Sequence, residues 1–121
     1  MATQAEETRT IKVLVENEEG LPLIGARVEI FVDREPFGEL STGGESSIEI
    51  DTRLTVELRA SAGRFVTSAS VEPNATFQRL IIPTRMGIEL AAIPTARCPD
   101  GKAGQPCVTC DVRGRRIRIC A

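Results

Sequence analysis

Hydrophobic and polar residues alternate along much of the first 94 residues, which is the periodicity of β-strands that bury one face. The stretch TIKVLVE places Ile11, Val13 and Val15 on one face, and later stretches repeat the pattern. Glycine, proline and small polar residues separate these stretches at intervals of roughly ten residues. The pattern predicts strands over 10–16, 26–32, 47–51, 54–60, 64–72, 76–83 and 87–94, with FGEL (37–40) as a further short strand in a turn-rich segment.

No stretch combines the 3.6-residue periodicity of a helix with helix caps, so the predicted fold class is all-β. Short alternating strands pack as two sheets face to face, and we expect an antiparallel or mixed β-sandwich of the seven-stranded type. Near Thr95 the alternation gives way to glycine, proline and cysteine. The predicted organisation is a flexible N-terminus over 1–8, a sandwich domain over 9–94, and a small cysteine-rich hairpin as an appendage over 95–121.

Composition narrows the chemistry that the chain can perform. Histidine, tryptophan and tyrosine are absent from the 121 residues, and the aromatic residues are four phenylalanines. The lack of histidine removes Ser-His-Asp and Cys-His nucleophilic schemes, together with every histidine-containing metal site. We expect the paired carboxylates to form a solvated acidic surface. The sequence therefore predicts a protein that is not an enzyme.

The N-terminus and the hydropathy of the chain predict a location. No apolar run approaches the roughly 18 residues of a membrane-spanning helix. The first ten residues, MATQAEETRT, are polar and acidic and lack the basic and apolar regions of a secretory signal. These features predict a cytoplasmic protein without a membrane span. If Met1 replaces a removed signal peptide, the expected compartment is extracellular instead.

The segment RGRRIR, residues 113–118, is a basic cluster of the kind that can hold phosphates. The scarcity of aromatic residues and the net charge of −2 argue against nucleic-acid binding, and we expect these arginines to form the solvent face of a hairpin arm. The remaining partner class is another protein, whose identity the sequence does not give. Exposed edge strands would allow a homo-oligomer.

The segment VENEEGLPLIGARVEIFV resembles the first hairpin of carboxypeptidase-regulatory-like, transthyretin-like β-sandwich domains. Their pattern is a polar residue, Gly, any residue, Pro, two residues, Gly-Ala, any residue and Val, which here falls on Gly20, Pro22, Gly25, Ala26 and Val28. The resemblance covers about residues 9–94 and implies a sandwich used for interaction or scaffolding. It does not carry over the hydroxyisourate hydrolysis of some transthyretin-like proteins, because that activity depends on histidines.

All four cysteines lie in the last 24 residues, with the spacing C-x8-C-x2-C-x9-C. Zinc prefers thiolate ligands in a closed tetrahedral site, and a C-x2-C turn commonly supplies two of them. The spacing therefore predicts a structural zinc ion held by Cys98, Cys107, Cys110 and Cys120. Two disulfides in an extracellular structural or adhesion-type module are the alternative. Redox catalysis by Cys107 and Cys110 is a third interpretation.

A hairpin within VTCDVRGRRIRIC would bring these cysteines together. Arg113–Gly114 suits a two-residue turn with glycine at its second position. The resulting register places Cys107 opposite Cys120 and Cys110 opposite Ile117. The segment that carries Cys98 would then fold back to bring this residue to the other three cysteines. This juxtaposition suits either a zinc site or a disulfide between Cys107 and Cys120.

Overall fold

The computed structural model describes residues 8–41, 45–51, 54–84 and 94–121. These residues form two packed β-sheets and no helix, which confirms the predicted all-β class. The strands are β1 Thr8–Glu16, β2 Arg27–Val32, β3 Glu35–Ser41, β4 Glu45–Asp51, β5 Val56–Ala62, β6 Phe65–Val71, β7 Phe77–Ile81, β8 Thr95–Arg97, β9 Ala103–Gly104, β10 Cys107–Val112 and β11 Arg115–Cys120.

The two sheets have five and six strands. The five-stranded sheet has the order β10-β11-β4-β1-β7, and the six-stranded sheet has the order β6-β5-β2-β3-β8-β9. All named strand pairs are antiparallel except β1 and β7, so the five-stranded sheet is mixed. Along one side of the sandwich β6 lies against β7, and along the other side β10 lies against β8 and β9.

The alternating apolar residues of the strands form the core between the two sheets. On β1 the residues Ile11, Val13 and Val15 are completely buried, while Lys12 between them is exposed. Because side chains alternate across a strand, each sheet contributes one apolar face to a shared interior. The largest fully buried side chains are Ile11, Val13, Leu23, Ile30, Leu40, Ile48, Ile50, Leu58, Leu80, Ile82, Ile117 and Ile119.

Each of the six strands predicted between residues 10 and 83 has an observed counterpart whose ends differ by a few residues. The FGEL segment lies within β3. The last predicted strand, 87–94, lies outside the described residues except for Pro94. The alternation of hydrophobic residues was therefore a sufficient signal for most of the sandwich.

Strand β3 is longer than the predicted FGEL segment. Asp33 and Arg34 have positive φ angles of 51° and 66° and form the turn that leads into it. Pro36 lies inside β3, close to a shift in the β2–β3 register between Ile30 and Phe31. An irregularity of this kind accommodates a proline within a sheet. The sequence concealed this strand because its turn lacks glycine and its interior contains proline.

The connection between β1 and β2 is organised by one buried side chain. Asn17 is 1% exposed, and its Oδ1 accepts hydrogen bonds from the backbone N–H groups of Glu19 and Leu21, both at 2.9 Å. Glu16 forms an isolated antiparallel bridge to Pro22 just beyond this turn. An asparagine that bonds to nearby backbone in this way holds a turn in one conformation. Residues 17–26 therefore form an ordered connection.

Arg9 closes one end of the sandwich from an inward-facing position on β1. Its side chain is 7% exposed, and the guanidinium donates hydrogen bonds to the carbonyls of Leu54, Glu72 and Ala75. The Nε atom is buried and has no hydrogen-bond partner among the described residues. Burial lowers the pKa of Arg9 below its ordinary value. One cation thus ties β1 to the segment before β5 and to the connection between β6 and β7.

We expect Arg9→Met to lower the free energy of unfolding by about 2 kcal/mol, because three buried carbonyls lose charged hydrogen-bond donors. Removal of a desolvated charge offsets part of that loss. Denaturant unfolding measures the change. The control is Arg79→Met, which removes an exposed arginine paired with Glu16 at 2.9 Å and is expected to cost no more than about 1 kcal/mol. Equal losses in the two variants would contradict the role assigned to Arg9.

Candidate functional site

The C-terminal cysteines are positioned by a tight hairpin between β10 and β11. Arg113 and Gly114 both have positive φ angles, 51° and 76°, as a two-residue type I′ turn requires. The hairpin pairs Cys107 with Cys120 and Cys110 with Ile117. The register predicted from the turn is therefore confirmed residue by residue.

The hairpin continues the five-stranded sheet through β11. Residues Arg118, Ile119 and Cys120 pair with residues of β4, and Ile119 lies directly opposite Ile48. Ile117 and Ile119 are completely buried between the sheets. Strands β8 and β9 extend the six-stranded sheet in the same way. The separation of 9–94 and 95–121 into independent folding units stays a prediction, although strands of 95–121 belong to both sheets.

Two disulfides link the four cysteines. Cys107 and Cys120 are joined across the neighbouring strands β10 and β11, with their Cα atoms 4.1 Å apart, and both residues are partly exposed. Cys98 is joined to Cys110, with their Cα atoms 5.5 Å apart, and both are buried. Cys98 follows β8 in one sheet and Cys110 lies on β10 in the other. The Cys98–Cys110 disulfide is therefore a covalent link between the two sheets.

The predicted zinc site is wrong. Each of the sulfurs of Cys98, Cys107, Cys110 and Cys120 is bonded to another sulfur, so none is a thiolate ligand. Among the residues that the structure describes, no group of three or more His, Cys, Asp or Glu side chains could hold a metal ion. The physical reason is the two-residue period of a strand. Cys107 and Cys110 are three positions apart on β10 and point to opposite faces, so they cannot direct both sulfurs at one ion.

A compact turn carries Cys98 to its partner. The N–H of Cys98 donates to the carbonyl of Lys102 at 2.7 Å, and the N–H of Gly101 donates to the carbonyl of Cys98 at 3.0 Å. Gly104 lies so close to β10 that a Cβ atom there would sit 2.0 Å from the carbonyl oxygen of Cys107. Because real Cβ atoms do not approach so closely, this position requires glycine. The segment 98–107 is thus packed tightly against the hairpin.

Three of the four arginines of the RGRRIR segment lie beside or opposite acidic residues of the same chain. Arg113 pairs with Glu35 at 2.8 Å, and Arg116 lies 3.4 Å from Asp111 across the hairpin. Arg118 stands opposite Glu49 in the pairing of β11 with β4. Opposite charges at facing positions favour a strand pair. Arg113 therefore links the hairpin to β3, and Arg116 links the two strands of the hairpin.

The outer face of the six-stranded sheet carries a surface groove of about 420 Å³ beside the turn at Cys98. Phe31 contributes apolar surface to it, and Arg27, Glu39 and Arg97 contribute charge. The Nε of Arg27 donates to Glu39 at 2.7 Å, and Arg97 stands opposite Glu39 in the β3–β8 pairing. These charges compensate one another across β2, β3 and β8. The groove is therefore lined by mutually paired charges around the apolar surface of Phe31.

Comparison of the chain with protein-family models, with curated proteins and with solved structures found no match. The resemblance of residues 9–94 to carboxypeptidase-regulatory-like domains therefore stays a prediction. Over the described ranges the chain has no helix with the length and apolar character needed to cross a membrane.

The predicted register allowed the Cys107–Cys120 disulfide as an alternative to zinc, and the Cys98–Cys110 pair was not predicted. The hairpin register had already placed Cys107 opposite Cys120, and this pairing leaves Cys98 and Cys110 to join. The prediction did not consider that residues three positions apart on a strand, such as Cys107 and Cys110 on β10, point to opposite faces. A turn at C-x2-C would bring both sulfurs to one point, whereas a strand separates them.

The two disulfides enclose segments of nearly equal length, with sequence separations of 12 and 13, but differ in burial. Removing both sulfurs of the partly exposed pair, in Cys107→Ala/Cys120→Ala, should lower the free energy of unfolding by about 3 kcal/mol through chain entropy. Removing the buried pair, in Cys98→Ala/Cys110→Ala, should cost about 4–5 kcal/mol, because it also leaves a cavity between the sheets.

Each double variant keeps the other disulfide intact, so the two are matched controls for one another. Denaturant unfolding without reductant gives both values. A larger loss for the Cys107/Cys120 variant would show that the link between the sheets is not the more stabilising of the two.

Proposed function

We propose that this chain is a non-catalytic β-sandwich module of an oxidising, extracellular-type compartment, where it serves as a structural or protein-binding element. The observation that carries the proposal is the pairing of all four cysteines in two disulfides, one of which joins the sheets. Disulfides persist in secreted and cell-surface proteins, whereas cytosolic reductants keep thiols reduced. The proposal adopts the extracellular alternative in place of the cytoplasmic location expected from the N-terminal sequence.

The distribution of charged groups supports a contact role. Acid/base catalysis needs two or more groups gathered at one reacting centre. The carboxylates that pair with arginines lie instead on three separate strands, β1, β3 and β10, and each faces the surface; they are Glu16, Glu35, Glu39 and Asp111. The chain contains no histidine, and all four of its thiols are oxidised, so it offers neither an imidazole base nor a thiol nucleophile.

The proposal includes membership of residues 9–94 in the carboxypeptidase-regulatory-like group. The support is the ordered connection between β1 and β2, which contains all the residues that carry the resemblance except Val28. Asn17 accepts two backbone hydrogen bonds there, and Glu16 bridges Pro22. A polar residue followed by glycine and proline is the combination that such a turn needs. The interaction role remains an analogy with sandwich domains of that kind.

The experiment is thiol trapping in the cells that produce the protein. N-ethylmaleimide is added before lysis, and the intact mass of the purified chain is measured under denaturing conditions. We expect no adducts and a mass lower by four hydrogens than that of the fully reduced chain, because the four cysteines form two disulfides. After treatment with reductant, the same protocol should add four adducts, which serves as the control.

Adducts on Cys98 or Cys110 before reduction would contradict the proposal, since these two residues form the buried link between the sheets. A chain that retains its disulfides after transfer to the reducing cytosol would also contradict it, because the compartment would then not determine the pairing.

A further inference from the structure

Among the described strands, β6 forms one edge of the six-stranded sheet. It pairs with β5 along one side, and no strand in the described parts of the chain pairs with its other side. Its sequence, FVTSASV, contains no charged residue and no proline over seven residues. Val66 on this strand is 52% exposed. A long, uncharged edge strand is a template for pairing with another strand.

The other three sheet edges carry the features that prevent such pairing. Strand β9 has two residues and is followed closely by Pro106. Strand β7 carries exposed Arg79, and β10 carries exposed Asp111. Short length, proline and charge are the usual protections of an edge. Of the four described edge strands, β6 alone lacks short length, proline and charge, and it is therefore suited to pairing with a partner strand.

The hairpin geometry identifies the free backbone groups of β6. Ala62 and Phe65 close a two-residue turn and therefore exchange backbone hydrogen bonds. Because hydrogen-bonded pairs alternate along an antiparallel ladder, residues 65, 67, 69 and 71 bond to β5. The N–H and C=O groups of Val66, Ser68 and Ser70 consequently point away from β5 and toward the open edge.

The two ends of β6 make the strand complementary to itself. Arg64 precedes it and Glu72 follows it. If two copies of β6 pair antiparallel about a two-fold axis at Ser68, Arg64 of each copy stands opposite Glu72 of the other. The same register places Val66 of each copy opposite Ser70 of the other, on the exposed face of the strand. It also matches every free backbone group with one on the other copy, for on the order of six hydrogen bonds.

We propose that this chain forms a symmetric dimer by antiparallel pairing of β6 with β6 of a second copy, centred on Ser68, so that the two six-stranded sheets become continuous. A two-fold axis makes such an interface isologous, so each complementary pair occurs twice. The proposal does not rest on the compartment or on the disulfides. The expected partner of the open edge is a second copy of this chain, because Arg64 and Glu72 of the two copies then carry opposite charges at facing positions.

The first test measures the dissociation constant of the dimer by sedimentation equilibrium. Ser68→Glu places two carboxylates opposite one another at the axis and should weaken the dimer about ten-fold or more. Within one copy the new carboxylate lies beside Arg59, so the monomer should stay folded. The matched control is Ser61→Glu, on the interior strand β5 beside Arg27, which should leave the dimer unchanged.

The second test checks the register by exchanging charges. Arg64→Glu alone and Glu72→Arg alone each create two like-charged pairs and should weaken the dimer about ten-fold. The double variant Arg64→Glu/Glu72→Arg restores opposite charges at both ends, and its dissociation constant should return to within about three-fold of the wild-type value. Independent effects that add in the double variant would overturn the register.

Amide hydrogen exchange tests which backbone N–H groups of β6 bond to the second copy and which bond to β5. On dilution from dimer to monomer, the amides of Val66, Ser68 and Ser70 should lose protection, while the neighbouring amides bonded to β5 should keep it. A wild-type chain that sediments as a monomer at all concentrations up to about 1 mM would overturn the proposal. A dimer that is unaffected by Ser68→Glu would overturn it as well, because the interface would then lie elsewhere.

Discussion

The cross-strand register of the β10–β11 hairpin determines how the rest of the C-terminal segment is built. The turn at Arg113–Gly114 sets which residues face each other, and the two-residue period of a strand then sets which face each side chain takes. Ile117 and Ile119 point inward and join the core. Cys110 points inward with them and reaches Cys98 in the other sheet. A slip of one residue would reverse all of these orientations and expose both isoleucines.

The two-residue period of a strand also explains why the sequence predicted the hairpin but not the chemistry of its cysteines. Turn type and strand pairing depend on short-range geometry, so the register could be obtained from Arg113–Gly114 alone. The choice between zinc and disulfides depended on where C-x2-C lies. In a turn, Cys107 and Cys110 would converge, whereas on β10 they diverge. The predicted zinc ion therefore followed from placing the pair in the wrong type of element.

In the sandwich too, features set by neighbouring residues in the sequence could be predicted, whereas features set by distant residues could not. Alternation predicted most of its strands, because each of them buries one face. Strand β3 was obscured by Asp33, Arg34 and Pro36, whose conformations depend on the neighbouring strand rather than on intrinsic preference. The role of Arg9 could not be predicted either, since its three carbonyl partners come from segments at least 45 positions away along the chain. An inward-facing arginine on a strand is the only local sign of such a contact.

Each disulfide also stabilises the particular strands that it joins. A chain of this length buries enough surface to fold without covalent links. Strands β8 and β9, however, have only three and two residues, and so few backbone hydrogen bonds hold them weakly. Strand β11 ends at Cys120, which pairs with Cys107 of β10 on one side and with Ser47 of β4 on the other. The Cys98–Cys110 bond fastens the short strands to β10, and the Cys107–Cys120 bond fastens the end of β11. The first bond thus stabilises strands whose own pairing is short, and the second closes the open end of the hairpin.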